Sequence, residues 1–159
     1  MAKDLKIIFD SLYQEFDLGL GKGDLTTDDS LESAVLISLY TDKRAGEDDL
    51  LPDSRNTNDV RGWWGDQLVP FTEGDEIGSK IWLLSREKTT TQVYIKLENY
   101  IRDALQWMVD DEILTKIDVA IERQNPLPEN NTLAFEIKLY KIDDRIVSLN
   151  YSYQWDNSL

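Results

Sequence analysis

The chain contains no cysteine and no histidine. The two absences remove disulfides, thiol nucleophiles and Cys/His zinc sites. A Ser-His-Asp triad cannot be built. No side chain has an unperturbed pKa near neutrality, so acid–base catalysis would fall to carboxylates, lysines or tyrosines with shifted values. Bases are scarce as well: 17 Lys and Arg stand against 31 Asp and Glu, a net charge of −14. That balance argues against nucleic acid, whose phosphates need clustered cations, and against an anionic membrane surface. No apolar run approaches the roughly 18 residues of a membrane span. Met1-Ala2-Lys3-Asp4 lacks the charged-then-apolar pattern of a signal peptide, so synthesis in a cytoplasm is the default expectation. The exclusions favour a non-enzymatic protein without a cofactor. A basic protein surface or a metal ion is the partner that such a charge suits.

What is present fits a single domain, 1–159, with a real core: 159 residues, of which 41% are hydrophobic. The most informative stretch is Arg61-Gly62-Trp63-Trp64-Gly65-Asp66. In an extended segment neighbouring side chains point to opposite faces, which would send one indole to the core and the other elsewhere. Burying a tryptophan removes about 150–250 Å² from water, worth roughly 4–6 kcal/mol as an upper figure. An exposed indole forgoes much of that, which makes a partner surface plausible. Alternatively, Gly62 and Gly65 let the backbone turn so that both rings serve one core. Both readings stand open. Arg61 and Asp66 could close the loop as an ion pair, or Arg61 could grip a partner carboxylate.

Periodicity divides the rest. Residues 5–18 carry apolar clusters read as one or two short strands or an irregular arm, followed by a flexible break at Gly19-Leu20-Gly21-Lys22-Gly23. Asp29 and Glu32 form a capping-box pattern, and Leu31, Ala34, Val35, Ser38 and Leu39 share one face, predicting a helix over about 30–40. Thr89 and Gln92 repeat the pattern before a longer helix over about 90–110, with Val93, Leu97, Tyr100, Ile101, Ala104, Leu105 and Met108 as its buried stripe. Glu98 and Arg102 can pair on its flank. The last third alternates with period two through Ile117, Val119 and Ile121, then Leu133 to Leu139, then Val147 to Trp155. Gln124 to Asn131 and Asp143-Asp144 supply the turns. The expected fold class is α+β: two main helices packed on a three-stranded antiparallel sheet, with a long irregular excursion, 41–80, between the helices.

That excursion holds Asp42, Glu47, Asp48, Asp49, Asp53, Asp59, Asp66, Glu73, Asp75 and Glu76. Their spacing matches no EF-hand loop, so solvated acids are the favoured reading over a calcium site. The glycines near residue 20 lack the lysine and hydroxyl of a phosphate loop and read as a turn. Carboxylates beside tryptophans also admit a glycan-binding or glycan-cleaving module, since a glycosidase needs two acids and often aromatic platforms. The signal for that chemistry is generic.

Read in order, Leu31-Glu32-Ser33-Ala34-Val35-Leu36-Ile37-Ser38-Leu39-Tyr40-Thr41-Asp42-Lys43-Arg44-Ala45, the Arg61–Asp66 motif, Gly78-Ser79-Lys80-Ile81-Trp82-Leu83-Leu84 and Ala104-Leu105-Gln106-Trp107-Met108 resemble the small tail baseplate protein of Mu-like bacteriophages. The resemblance spans roughly residues 24–155, and the double-tryptophan motif is its specific part. It implies a structural subunit of a contractile-tail baseplate, virion-borne and made in the bacterial host cytoplasm. Its partners would be other baseplate proteins, a larger wedge subunit first, with tail tube and sheath as further candidates, and neither nucleic acid nor membrane. The family is similar to a wedge protein named after lysozyme that is not held to be a working enzyme. That wider group carries Glu-Pro-Arg after its second long helix, where this chain reads Asp110-Asp111-Glu112-Ile113. The expected partner contact, or the scaffold presenting it, is Arg61, Trp63, Trp64, Asp66 and Trp82, with no catalytic residue and no metal ligand assigned.

Overall fold

The computed structural model describes residues 4–10, 15–22, 24–28, 31–52, 59–67, 76–85, 87, 90–122 and 132–154. The class is α+β, and the sheets among the described residues are antiparallel. Strands β7 (Leu114–Glu122), β8 (Thr132–Lys141) and β9 (Ile146–Gln154) form a meander in the order β7-β8-β9. Its register aligns the apolar positions into rows: Ile117, Leu139 and Val147; Val119, Ile137 and Leu149; Ile121, Phe135 and Tyr151. Side chains opposite one another share a face, so period-two alternation in three strands gives one continuous apolar surface. The β8–β9 turn is closed by the Asp144 amide donating to the Lys141 carbonyl at 3.1 Å, with Asp144 at φ 62°. Asparagine and aspartate tolerate that left-handed geometry better than most residues. The connection predicted at 124–131, and Trp155, lie outside the described residues.

Helix α2 (Thr91–Leu105) packs on β7. Its cap is Thr90 rather than Thr89: the Thr90 hydroxyl accepts from the Val93 amide at 3.4 Å. The expected stripe is buried except that Tyr100 is only half-covered, and Tyr94 joins it. Arg102 donates to Glu98 at 2.8 Å, as the four-residue spacing implies. The expected single helix is interrupted at Gln106 and resumes as α3 (Trp107–Asp110). It then ends in a tight C-cap. The Glu112 amide reaches the Val109 carbonyl at 3.0 Å and the Ile113 amide reaches Met108 at 2.9 Å, with Glu112 at φ 57°. This is a Schellman closure with glutamate in the place that glycine usually fills.

Helix α1 (Glu32–Tyr40) lies against α2 and the N-terminal strands. Its first helical residue is Glu32, and its cap position is Leu31, at φ 71° with no side-chain cap bond. The capping-box reading therefore placed Glu32 two positions too deep in the helix, and Asp29 lies outside the described residues. The buried face is Ser33, Val35, Leu36, Ser38 and Leu39. It is rotated from the expected one because Ser33 faces inward to bind backbone. Its hydroxyl donates to the Leu5 carbonyl and accepts from the Ile7 amide, both at 2.9 Å.

The N-terminal region is more ordered than an irregular arm. Among the described residues, six short strands form three two-stranded antiparallel ladders: β1 (Asp4–Leu5) with β6 (Thr27–Asp28), β2 (Ile7–Asp10) with β3 (Glu15–Leu18), and β4 (Leu20–Gly21) with β5 (Asp24–Leu25). The glycine-rich break thus carries strand β4 of a hairpin. Phe9, Phe16 and Tyr40 meet with ring centroids 4.7 to 5.1 Å apart, fastening β2 and β3 to the end of α1.

Candidate partner-binding surface

The described parts of the excursion are tied to the domain at several points. Asp42 and Ser79 form a parallel bridge, in which the Ser79 amide donates to Thr41 and the Lys43 amide to Ser79, both at 2.9 Å. The Ser79 hydroxyl donates to the Leu39 carbonyl at 2.6 Å. Gly78 sits beside this crossing at φ 107°, and a Cβ there would collide with the Thr41 carbonyl. The Ala45 amide donates to Val60 at 2.9 Å, bringing residue 60 alongside. A 3₁₀ turn over Ile81–Leu84 then buries four successive apolar residues. Four residues at three per turn face all sides, so this run suits a segment enclosed all round.

Trp82 is 4% exposed and forms a small second core with Ala45 and Leu83, against which Leu51, Val60 and Tyr100 pack. Its indole N–H donates to the Lys43 carbonyl at 2.8 Å, which satisfies its polar edge. Above it lies Arg61, the guanidinium carbon 4.6 Å from the ring centroid. Arg61 donates to Asp42 at 2.8 Å and lies 3.9 Å from Asp59. The Arg61–Asp66 ion pair, one of the two arrangements left open by the sequence, is not formed. The backbone explains why: Arg61 has φ 49° and Gly62 φ 103°, so the chain reverses between the two residues. A left-handed arginine costs about 1–2 kcal/mol, a strain the surrounding contacts must hold in place.

Beyond that reversal neither indole enters the core. Trp63 is 43% and Trp64 69% exposed, with centroids 5.5 Å apart at 45°. The alternation expected of an extended segment does not apply, because Trp64 opens a 3₁₀ turn over Trp64–Gln67. Gly65 lies under the six-membered ring of Trp63, and any Cβ there would displace the indole. The motif's second glycine is therefore a seat for a ring. Asp66 accepts from the Ile77 amide at 3.4 Å through one oxygen. Its other oxygen is enclosed and has no hydrogen-bond donor among the described residues. Arg44, Gly62, Trp63, Asp66 and Glu76 line a cleft of about 250 Å³.

Four acids read from sequence as solvated are paired: Asp42 and, at 3.9 Å, Asp59 with Arg61, Asp49 with Lys80 at 2.6 Å, and Glu76 with Lys43 at 3.3 Å. Burial works against the Asp49 charge, yet the Lys80 ammonium and the Gly46 amide outweigh it and hold its carboxyl below the ordinary value. Asp53, Glu73 and Asp75 lie outside the described residues. Sequence reasoning did not single out Asp42, Asp49 or Arg44 for roles here. Their only signal was a base within a few dozen residues, which a sequence this charged offers everywhere. The chemistry on offer is recognition: two aromatic faces, a locked guanidinium and an undercompensated carboxylate.

The sequence profile of the family described as Phage protein GP46 matches residues 31–146. The chain belongs to that family. Within the GP46 family it is 38% identical over 125 residues to the baseplate protein gp46 of Escherichia phage Mu, covering 72% of this chain and 82% of the relative. It is 34% identical over 142 residues to the Mu-like prophage FluMu protein gp46 of Haemophilus influenzae, covering 89% of this chain and 90% of the relative. The GP46 match runs from the start of α1 to the start of β9, so it contains the whole excursion and both tryptophans.

Proposed function

We propose that the chain is a structural subunit of the tail baseplate of a Mu-like phage or prophage. In this reading it is non-enzymatic, made in the bacterial host and carried in the virion tail. It assembles with a larger wedge protein around the tail tube and supports the start of sheath assembly. The kinship to the Mu baseplate protein carries the reading. Trp63 and Trp64 support it, since adjacent exposed indoles on a strained, ion-paired loop resemble the aromatic anchors of protein interfaces. Arg61, Trp63, Trp64 and Asp66 form or flank the contact, and Trp82 is the buried base on which Arg61 rests.

The test is co-expression with the large baseplate protein encoded beside it, affinity purification and mass by light scattering. A complex of defined stoichiometry, lost on Trp64→Ala, is the expected result. A clean monomer that ignores that neighbour would overturn the assignment. Tryptophan fluorescence quenched by peptidoglycan fragments in that monomer would instead assign the same aromatics to a glycan-binding module.

A further inference from the structure

The cleft beside Trp63 is lined by two carboxylates, Asp66 and Glu76. One oxygen of Asp66 is enclosed and has no donor among the described residues, while the other accepts only a long 3.4 Å bond. A buried acceptor without a donor is costly, and more so when charged. Asp66 lines the cleft, but that enclosed oxygen is not on its open surface, so the residue acts on the cleft through its charge. Glu76 lines the same cleft and is paired with Lys43 at 3.3 Å. The Trp63 indole forms an aromatic wall, held in place by Gly65 beneath it. The volume of about 250 Å³ falls below the range of sites for drug-sized ligands, about 300–1,000 Å³, and suits one side chain.

We propose that this cleft seats a single arginine side chain of the protein partner, its guanidinium stacked on Trp63 and its charge offset by Asp66 and Glu76. The inference rests on the proposed function for the source of that side chain. Arginine is favoured over lysine because a planar guanidinium stacks on an indole and is more weakly hydrated, so it enters a half-buried cleft at less cost. The chain's net charge of −14 steers a basic surface toward it. Arg44 is the opposing feature. Its cation lines the same cleft and weakens the site, so its removal is part of the test.

The experiment is a nuclear magnetic resonance titration of the full chain with a blocked arginine amide, with a blocked glutamate amide as control. Arginine at millimolar concentrations is expected to shift the Trp63 indole resonance. Glu76→Gln and Asp66→Asn should each weaken the response several-fold, and Arg44→Ala should strengthen it. Because Asp66→Asn could disturb the turn, Glu76→Gln carries the test if that variant does not fold. No shift with arginine, or a shift with glutamate instead, would overturn the proposal. The co-expression result separates it from the broader reading. A complex that forms while arginine is ignored removes the cleft assignment alone. Arginine binding in a chain that ignores its neighbour removes the baseplate assignment and leaves the cleft.

Discussion

The guanidinium of Arg61 rests 4.6 Å above the ring of Trp82, so a buried indole positions an exposed cation. The stack is braced from the side by Asp42, 2.8 Å away, and from below by the Trp82 N–H on the Lys43 carbonyl. Three points far apart in sequence, at residues 42–43, 61 and 82, are thereby locked into one platform. The loop carrying Trp63 and Trp64 leaves from that platform at a left-handed Arg61-Gly62 pair. The strain at Arg61 persists because the platform fixes its side chain.

Trp82→Ala is expected to destabilise the domain by about 3–5 kcal/mol, since it opens a cavity in the second core and orphans the Lys43 carbonyl. Urea denaturation measures this. A midpoint equal to the parent's would contradict the buried placement of Trp82. Trp82→Phe, which restores much of the volume but not the indole N–H, should recover only part of the loss.

Trp64→Ala should behave in the opposite way. The side chain is 69% exposed, so little apolar burial is lost and the melt should stay within about 0.5 kcal/mol of the parent, the range of surface substitutions. Assembly with the large baseplate protein should weaken by about 2 kcal/mol or more, as for an aromatic hot spot. An unchanged melt with unchanged partner affinity would remove Trp64 from the contact.

The contrast between these two tryptophans also shows what a sequence can reveal. The meander was legible because alternation in each strand has one physical cause, a face turned to the core, and the register of Val119, Ile137 and Leu149 lines those faces up. Helix α2 was legible for the same reason at period 3.6. Helix α1 was less so: Ser33 faces inward for hydrogen bonds that no hydropathy pattern records. The N-terminal ladders are each two to four residues long, below the length at which periodicity accumulates. In the candidate site the double tryptophan stood out by composition alone. The separation of Arg61 from Asp66 depended on two positive φ values, and the partnership of Asp42 with Arg61 on a crossing near Ser79. Both are tertiary facts without a local signature.

The Asp49–Lys80 pair gives a pH signature. Asp49's carboxyl is held below its ordinary value in the folded chain, so its contribution is complete above the unfolded value of about 3.9 and is lost as pH falls through the folded one. Asp49→Asn should therefore cost about 1 kcal/mol at neutral pH, a modest figure because both partners keep solvent access. The gap between variant and parent should close in acid, below about pH 4. Urea midpoints taken across that window would show it. A gap that stays constant into strong acid would mean that the neutral-pH loss comes from packing and the Gly46 contact instead.

Glu112 offers a stabilising change. It occupies the left-handed position of the cap that closes α3, at φ 57°, where a side chain costs about 1–2 kcal/mol and glycine does not. It also adds a negative charge beside Asp110 and Asp111, at the helix end whose dipole already favours cations. Glu112→Gly removes both penalties at once. Glycine's greater freedom in the unfolded chain returns about 0.5–1 kcal/mol of that gain. The expected net effect is a stabilisation of about 1 kcal/mol, or roughly 2–4 °C in Tm for a chain of this size. A lower Tm would mean that the Glu112 side chain makes a favourable contact outweighing its backbone strain. A higher Tm accompanied by weaker baseplate assembly would show that the acids closing α3 are kept for a partner at the expense of the fold.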